Sequence, residues 1–243
     1  MTSSPLVARN TGPASAPDVV SVSEALKGRT SIRAFRPDPV PEAVVRDILE
    51  VARFSPSGSN MQPWRVIAVA GEERRRSIEA VRAALADNPG GEGAEYPTRP
   101  SPIWEPYRSR RFKNAEDMYA LLGIPREDRP ARLAYLTRNG EFFDAPVGLF
   151  FVIDRNLGHC QWAHLGMFMQ SVALAAYERG LGTCMQEFWG QGRETLRRHF
   201  ALPETDLVYC GMALGVPDPS APVNALRSDR ADVDEICDFK GFV

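Results

Sequence analysis

Cysteine is scarce and scattered in this 243-residue chain. Its four copies, Cys160, Cys184, Cys210 and Cys237, form no C-x-x-C pair. That spacing excludes a disulfide framework, and three of the four lie in apolar stretches where a thiol behaves as a small buried hydrophobe. A reducing, cytoplasmic compartment is expected. Charge of one sign is also lacking: 29 Lys and Arg face 31 Asp and Glu, for a net charge of −2. Nonspecific nucleic-acid binding needs a basic surface, so it is not expected, and any anionic ligand must be met by local arginine clusters. With three histidines in all, His159, Cys160 and His164 could put two ligands on one helix face, which does not make a metal site. No metal is expected. No G-x-S-x-G elbow, Walker A loop or G-x-G-x-x-G after a strand occurs, and Gly180, Gly182, Gly190 and Gly192 are too loosely placed to substitute for one. Residues 1–20 are rich in Ser, Pro and Ala and lack the basic and apolar regions of a secretory signal, so they read as a flexible leader that can order against a partner subunit.

What is present is alternating periodicity. Val22 to Lys27 reads as a short helix capped by Ser21 or Ser23 and ended by Gly28. Pro41 at a first helical position, with Val44, Val45, Ile48, Leu49 and Ala52, predicts an amphipathic helix. Trp64 to Ala70 predicts a strand, Glu72 to Ala86 a helix, and the nearly continuous apolar run Pro146 to Ile153 a strand covered on both faces. Then follow a helix over Cys160 to Arg179, a strand over Thr183 to Phe188, a helix over Arg193 to Phe200 and a strand over Leu207 to Val216. One sheet with several helices is implied, from a single domain over residues 21–243.

The helix from Cys160 is apolar almost all round and must be buried on most faces. His164, Gln170, Glu178 and Arg179 interrupt it, and nothing else in the chain reads as membrane-bound. Either a monomer core or a subunit interface would satisfy it. Residues 87–138 differ in character, with a Gly- and Pro-rich stretch, then aromatics and arginines from Trp104 to Arg111, then short helical patterns around Asn114 to Leu122 and Arg126 to Thr137. Such a length reads either as a lid over a binding site or as a tolerated surface insertion. Trp104, Tyr107, Arg108 and Arg111 suit an electron-poor or anionic aromatic.

Two separated motifs carry the chemistry. Arg29-Thr30-Ser31-Ile32-Arg33 packs two guanidiniums and two hydroxyls into five residues, which suits a phosphate and its polar neighbours. Ser55-Pro56-Ser57-Gly58-Ser59-Asn60-Met61-Gln62-Pro63-Trp64 is a strip of small turn-formers that lets main chain approach a flat ligand. A third segment follows Leu207 to Pro217, with Gly211 and Gly215, and runs Asn224-Ala225-Leu226-Arg227-Ser228-Asp229-Arg230. In their order and content these motifs resemble the FMN-dependent nitroreductase family, where R-x-S-x-[RK] precedes a helix and S-P-S-x-x-N-x-Q-P-W follows it. The resemblance implies an α+β nitroreductase-like fold, with a central, mostly antiparallel sheet flanked by helices and a long central helix at a homodimer interface.

The resemblance also implies residue roles. Arg29, Thr30 and Ser31 match positions at the FMN phosphate and ribityl chain, and Arg33 matches a cationic position beside flavin N1 and O2, where reduction places negative charge. Pro56, Ser57, Gly58 and Asn60 match a strip that reaches the flavin from the other subunit, although as residues they make an ordinary turn equally well. Arg227 and Arg230, within a segment 217–243, match positions that close on the phosphate. Gln186 and Glu187 fall at the strand end that presents N–H groups to flavin N5 and O4, where the family often has Glu and Gly. Asn139 is either a contact to the pyrimidine edge or a helix C-cap before Gly140. The implied activity is NAD(P)H-dependent reduction of nitroaromatic or related small aromatic acceptors, with NADPH or NADH as co-substrate in a ping-pong hydride transfer at flavin N5. No side chain need act as acid or base. The same scaffold would also serve dehalogenation, enone reduction or flavin fragmentation, or a flavin-binding protein without turnover.

Overall fold

The computed structural model describes residues 20–242 except 94 and 97–99, so the expected leader lies outside the described residues except at its last position. Strand β2 (Val147–Asp154) is the centre of the molecule, and every residue in it but the last is buried. It pairs antiparallel with β1 (Arg65–Ala70) on one side and β4 (Asp206–Gly215) on the other, and β3 (Gly182–Gln186) completes the order β1-β2-β4-β3. The alternation of a strand sends Leu149, Phe151 and Ile153 into one core, and Phe150 and Val152 into another. Both faces are therefore covered, as the continuous apolar run requires.

Helices α2 (Glu42–Ala52) and α6 (His159–Glu178) cover the first face, through Val45, Ile48, Leu165, Phe168 and Val172. Helices α3 (Gly71–Asp87) and α7 (Arg193–His199) cover the second, through Ile78, Val81 and Leu196. Trp189 sits in that second core, with its ring against Gly211 of β4, where a Cβ would fall 2.1 Å from it. Phe142 stacks on Trp189 at 4.3 Å and occupies the space over Gly148. It does so from a run of three left-handed residues, Phe142, Phe143 and Asp144 (φ 55°, 51° and 64°), a strained path that two fully buried aromatic rings hold in place.

The short helix α1 (Val22–Gly28) opens with a capping box between Ser21 and Glu24. Several boundaries differ from the sequence-based reading. Pro41 is the N-cap of α2 and not its first helical residue. Helix α4 (Tyr107–Leu121) starts well before Asn114, because Pro106 precedes it and Glu105 turns back to accept from the Ser109 N–H. Helix α5 (Arg129–Thr137) starts at Asp128, whose carboxylate accepts from the Ala131 N–H, and not at Arg126. Strand β3 stops at Gln186, where the chain turns into a 3-10 segment over Glu187–Gly192. Of the four free cysteines only Cys184 and Cys210 are buried, while Cys160 and Cys237 are exposed in the single chain. Among the described residues no helix is long and apolar enough to cross a membrane.

Candidate functional site

After α1 the chain runs extended and docks on the outer edge of β3. Ser31 bridges Thr183 in parallel, and the Ile32 N–H donates to the Thr183 carbonyl at 2.9 Å. Gly182 makes this approach possible: a Cβ there would sit 2.6 Å from Ile32 and 2.9 Å from Pro217. Arg29, Thr30, Ser31 and Arg33 are half-buried along this edge. Beyond β4 the chain returns to the same place. Phe35 bridges Pro217, and the 3-10 turn Pro222–Ala225 leads into Arg227 and Arg230. Asn224 joins the two stretches, accepting from the Arg33 N–H at 2.9 Å and donating to the Ala34 carbonyl at 2.8 Å.

Together these stretches line a cavity of about 590 Å³ that holds Arg29, Thr30, Ser31, Arg33, Arg227 and Arg230, with Asn114 of α4 and Gln170 of α6 in its walls. Residues from opposite ends of the chain thus converge, as the motifs imply. Asn114 and Gln170 belong to no motif, and only the fold brings them here.

The cavity is strongly electropositive. Among the described residues no carboxylate pairs with Arg29, Arg33, Arg227 or Arg230, while most other arginines carry an ion pair. Among the described residues Arg33, Arg227 and Arg230 donate only to main-chain carbonyls, of Ser31, of Asn224 and Leu226, and of Ser228 and Asp229 respectively. Burial, with the repulsion of Arg230 behind it, lowers the Arg29 pKa. Two titratable groups that feel these arginines, Cys184 and Tyr135, supply no countercharge. Burial pushes the Cys184 thiol up, and it pushes the Tyr135 phenol up to about 12 against the pull of Arg33, so both stay neutral near pH 7. Cations that repel one another around an open cavity, beside two hydroxyls, fit a phosphate dianion. They fit the phosphate and ribityl chain of FMN.

Met185, exposed at the end of β3, lines this cavity and also a second one of about 720 Å³. The second cavity is walled by Tyr96, Arg111, Asn139, Gln186, Glu187 and Phe188 among others. Gln186 turns its side chain inward, donating to the Asn139 carbonyl at 2.8 Å and accepting from the Trp189 indole N–H at 3.3 Å. Its amide is therefore spent on structure, and what remains for a ligand is main chain: Glu187 opens the 3-10 turn, where an N–H has no intrahelical acceptor. Asn139 donates its side-chain N–H back to the Leu136 carbonyl at 2.9 Å, inside a 3-10 segment, and Gly140 is not in the left-handed conformation of a helix C-cap. Of the aromatic and basic residues expected to cover an acceptor, only Arg111 lines this space. Trp104 and Tyr107 stack edge to face on the exterior, and Arg108 pairs with Glu105.

Pro56, Ser57, Gly58 and Asn60 line neither cavity of their own chain. They form a tight turn with left-handed residues at Ser59 and Asn60, docked on α6 where the Gly58 N–H donates to His164 Nδ1 at 3.3 Å.

Comparison with known proteins agrees with this geometry. The sequence model of the nitroreductase family matches residues 26–216. The chain is 39% identical over 222 residues to the nitrobenzene nitroreductase of Ectopseudomonas oleovorans, covering 90% of this chain and 96% of that one. Among solved structures, the FMN- and NADPH-dependent nitroreductase NfnB from sphigopyxis sp. strain HMH superposes with a TM-score of 0.88 at 40% identity, covering 91% of this chain and all of that one. The FMN-dependent NfnB of Mycobacterium smegmatis, solved with NADPH, gives 0.83 at 31% identity, over 90% and 97% of the two chains.

Proposed function

This chain belongs to the nitroreductase family, and from that premise we propose how its residues serve an FMN-dependent oxidoreductase that uses NAD(P)H to reduce nitroaromatic or related acceptors. The observation that carries the assignment is the cavity where four arginines, without carboxylate partners among the described residues, meet Thr30 and Ser31, adjoining the second cavity at Met185. When bound, FMN would supply the two-electron redox chemistry that links NAD(P)H to the acceptor. Arg29, Arg227 and Arg230 would hold its phosphate, and Thr30 and Ser31 would hold the ribityl hydroxyls. Arg33 sets a fixed positive charge where negative charge develops, so it favours the reduced form without moving a proton. The main chain at Gln186 and Glu187 and the turn around Asn139 border the space that nicotinamide and acceptor share in sequence. Arg111 brings the insertion 87–138 to that space and gives it an influence on the acceptor.

Two finer points belong to the same reading. The enzyme acts as a homodimer, in which Pro56, Ser57, Gly58 and Asn60 of a second copy complete the flavin site. The exposed apolar side chains of Val51, Phe54, Met61 and Met167, on and beside α2 and α6, support such an interface. Four free cysteines, with two of them exposed, favour a reducing cytoplasm. The test is spectroscopic. Purified protein shows the yellow spectrum of bound flavin, anaerobic NADPH or NADH bleaches it, and a nitroaromatic restores it. A colourless protein that takes up no FMN would refute the assignment, and a yellow monomer in sedimentation would refute the dimer.

A further inference from the structure

Asn224 is held by hydrogen bonds to main chain on both stretches of the arginine cavity. Its carboxamide has one acceptor and two donor N–H groups, and all are used on main chain, two of the three partners lying at the other end of the chain. Oδ1 accepts from the Arg33 N–H at 2.9 Å, and Nδ2 donates to the carbonyls of Ala34 at 2.8 Å and Asp218 at 2.9 Å. Its own carbonyl accepts from Arg227 Nη1 at 3.1 Å. One half-buried residue is therefore tied to the backbone that carries Arg33 and to the guanidinium of Arg227. The two stretches are paired by main chain at Phe35 and Pro217, and Asn224 carries that link on to Arg33 itself, whose N–H takes part in no bridge.

We infer that Asn224 is a positioning residue that sets the separation of Arg33 and Arg227, and through it both FMN affinity and flavin potential. The inference rests on the assignment of the arginine cavity to FMN. The three side-chain bonds need one acceptor and two donors on one short side chain, which the asparagine carboxamide supplies. Aspartate keeps the acceptor for Arg33 but turns a carboxylate onto two carbonyls, and alanine leaves the Arg33 N–H without its acceptor, while the Ala34 and Asp218 carbonyls keep only the N–H groups of Asp218 and Ala221. Because Arg33 is the cation assigned to developing negative charge, a shift in its backbone weakens the reduced form more than the oxidised one.

The experiment compares Asn224→Ala, Arg33→Gln and the double variant, measuring FMN affinity by fluorescence titration of the apoprotein, the midpoint potential of the loaded protein, and apoprotein melting. Asn224→Ala should weaken FMN about tenfold. It should also lower the potential in the same direction as Arg33→Gln, by about 30 mV for each tenfold loss of preference for the reduced form. In the double variant the potential should fall no further than in Arg33→Gln alone. If Arg33→Gln leaves both readings at wild type, the assignment of the cavity fails. If Arg33→Gln shifts them and Asn224→Ala changes only the melting temperature, Asn224 is structural and the inference fails. Should Asn224→Ala not fold, Asn224→Asp takes its place. Hydrogen exchange on the wild-type apoprotein supplies an independent reading: the Arg33 amide should be protected to the same degree as that of Ile32, and free exchange at Arg33 would overturn the inference.

Discussion

The two halves of the arginine cavity are built by different means. Arg29 to Arg33 lie half-buried on a strand edge, fixed by main-chain bonds to Thr183 and by the close approach over Gly182. Arg227 and Arg230 are exposed, on a segment without strand pairing that follows the buried Leu226 and is held beyond it by side-chain links to α4: Ser228 to Asn114, Asp229 to Lys113, and Glu235 to Arg110. Exposed ion pairs of that kind contribute little each. The first half is thus preorganised and the second is lightly latched, so binding a dianion must order the second half while it merely fills the first. The latch also gives the insertion a second duty. Helix α4 sends Arg111 toward the second cavity and Asn114 into the cofactor cavity, so the insertion touches both.

The comparison breaks most severely at Gly182. Gly182→Val puts atoms into Ile32 and Pro217 and should lift the rigid half off its strand, costing about 3 kcal/mol of stability and abolishing FMN retention. Denaturant titration and the flavin spectrum measure the two losses, and wild-type flavin content would show that the strand edge is dispensable. Arg29→Ala comes next. Removing a charge-assisted contact from the preorganised half should cost roughly 1.5 to 3 kcal/mol in binding, about one to two decades in Kd, with the fold intact. Arg230→Ala should cost less, about fivefold, because an exposed cation on a yielding segment is screened and loses part of its gain to ordering. That smaller loss should shrink further as salt rises, whereas the Arg29 effect should persist. Equal losses for the two arginines at every salt concentration would erase the distinction between the halves. The smallest effect belongs to the latch itself: Lys113→Ala should change FMN affinity under about twofold. Arg111→Ala, on the same helix, should leave FMN affinity unchanged and alter acceptor kcat/KM, read in stopped-flow as a changed oxidative half-reaction beside an unchanged reductive one.

The sequence reveals this site unevenly. The N-terminal motif and the arginines of the C-terminal segment are legible because cofactor chemistry demands particular residue types in a short span. The sheet is legible because β2 and its neighbours β1 and β4 are short, nearly continuous apolar runs between helical patterns. What escapes is whatever depends on long-range approach. Asn224 stands in plain view beside Arg227, yet no local pattern marks a side chain whose partners are Arg33 and Ala34. Asn114 reads as one more polar residue on a charged helix until α4 docks beside the C-terminal segment. The start of α4 is hidden because aromatics and arginines disguise its amphipathic pattern, and Glu105 caps it from outside. Gln186 looks like a ligand by position, but the burial of Trp189 claims its amide. The strained run at Phe142 to Asp144 carries no glycine to announce it, since aromatic packing holds the backbone there.

The bond between Arg33 and Asn224 spans 191 residues, and this gives the site a place in time as well as in space. On a ribosome adding roughly 5–20 residues per second, the first arginines wait on the order of 10–40 seconds for their counterparts to be made. A chain released short of residue 230 can pair all four strands and still present only half a cavity. Because a ligand stabilises only the state that binds it, the cofactor's stabilisation is reserved for chains finished to that point. Flavin colour in a growing culture would then follow completed molecules, and prematurely terminated ones would be left to proteolysis without that protection.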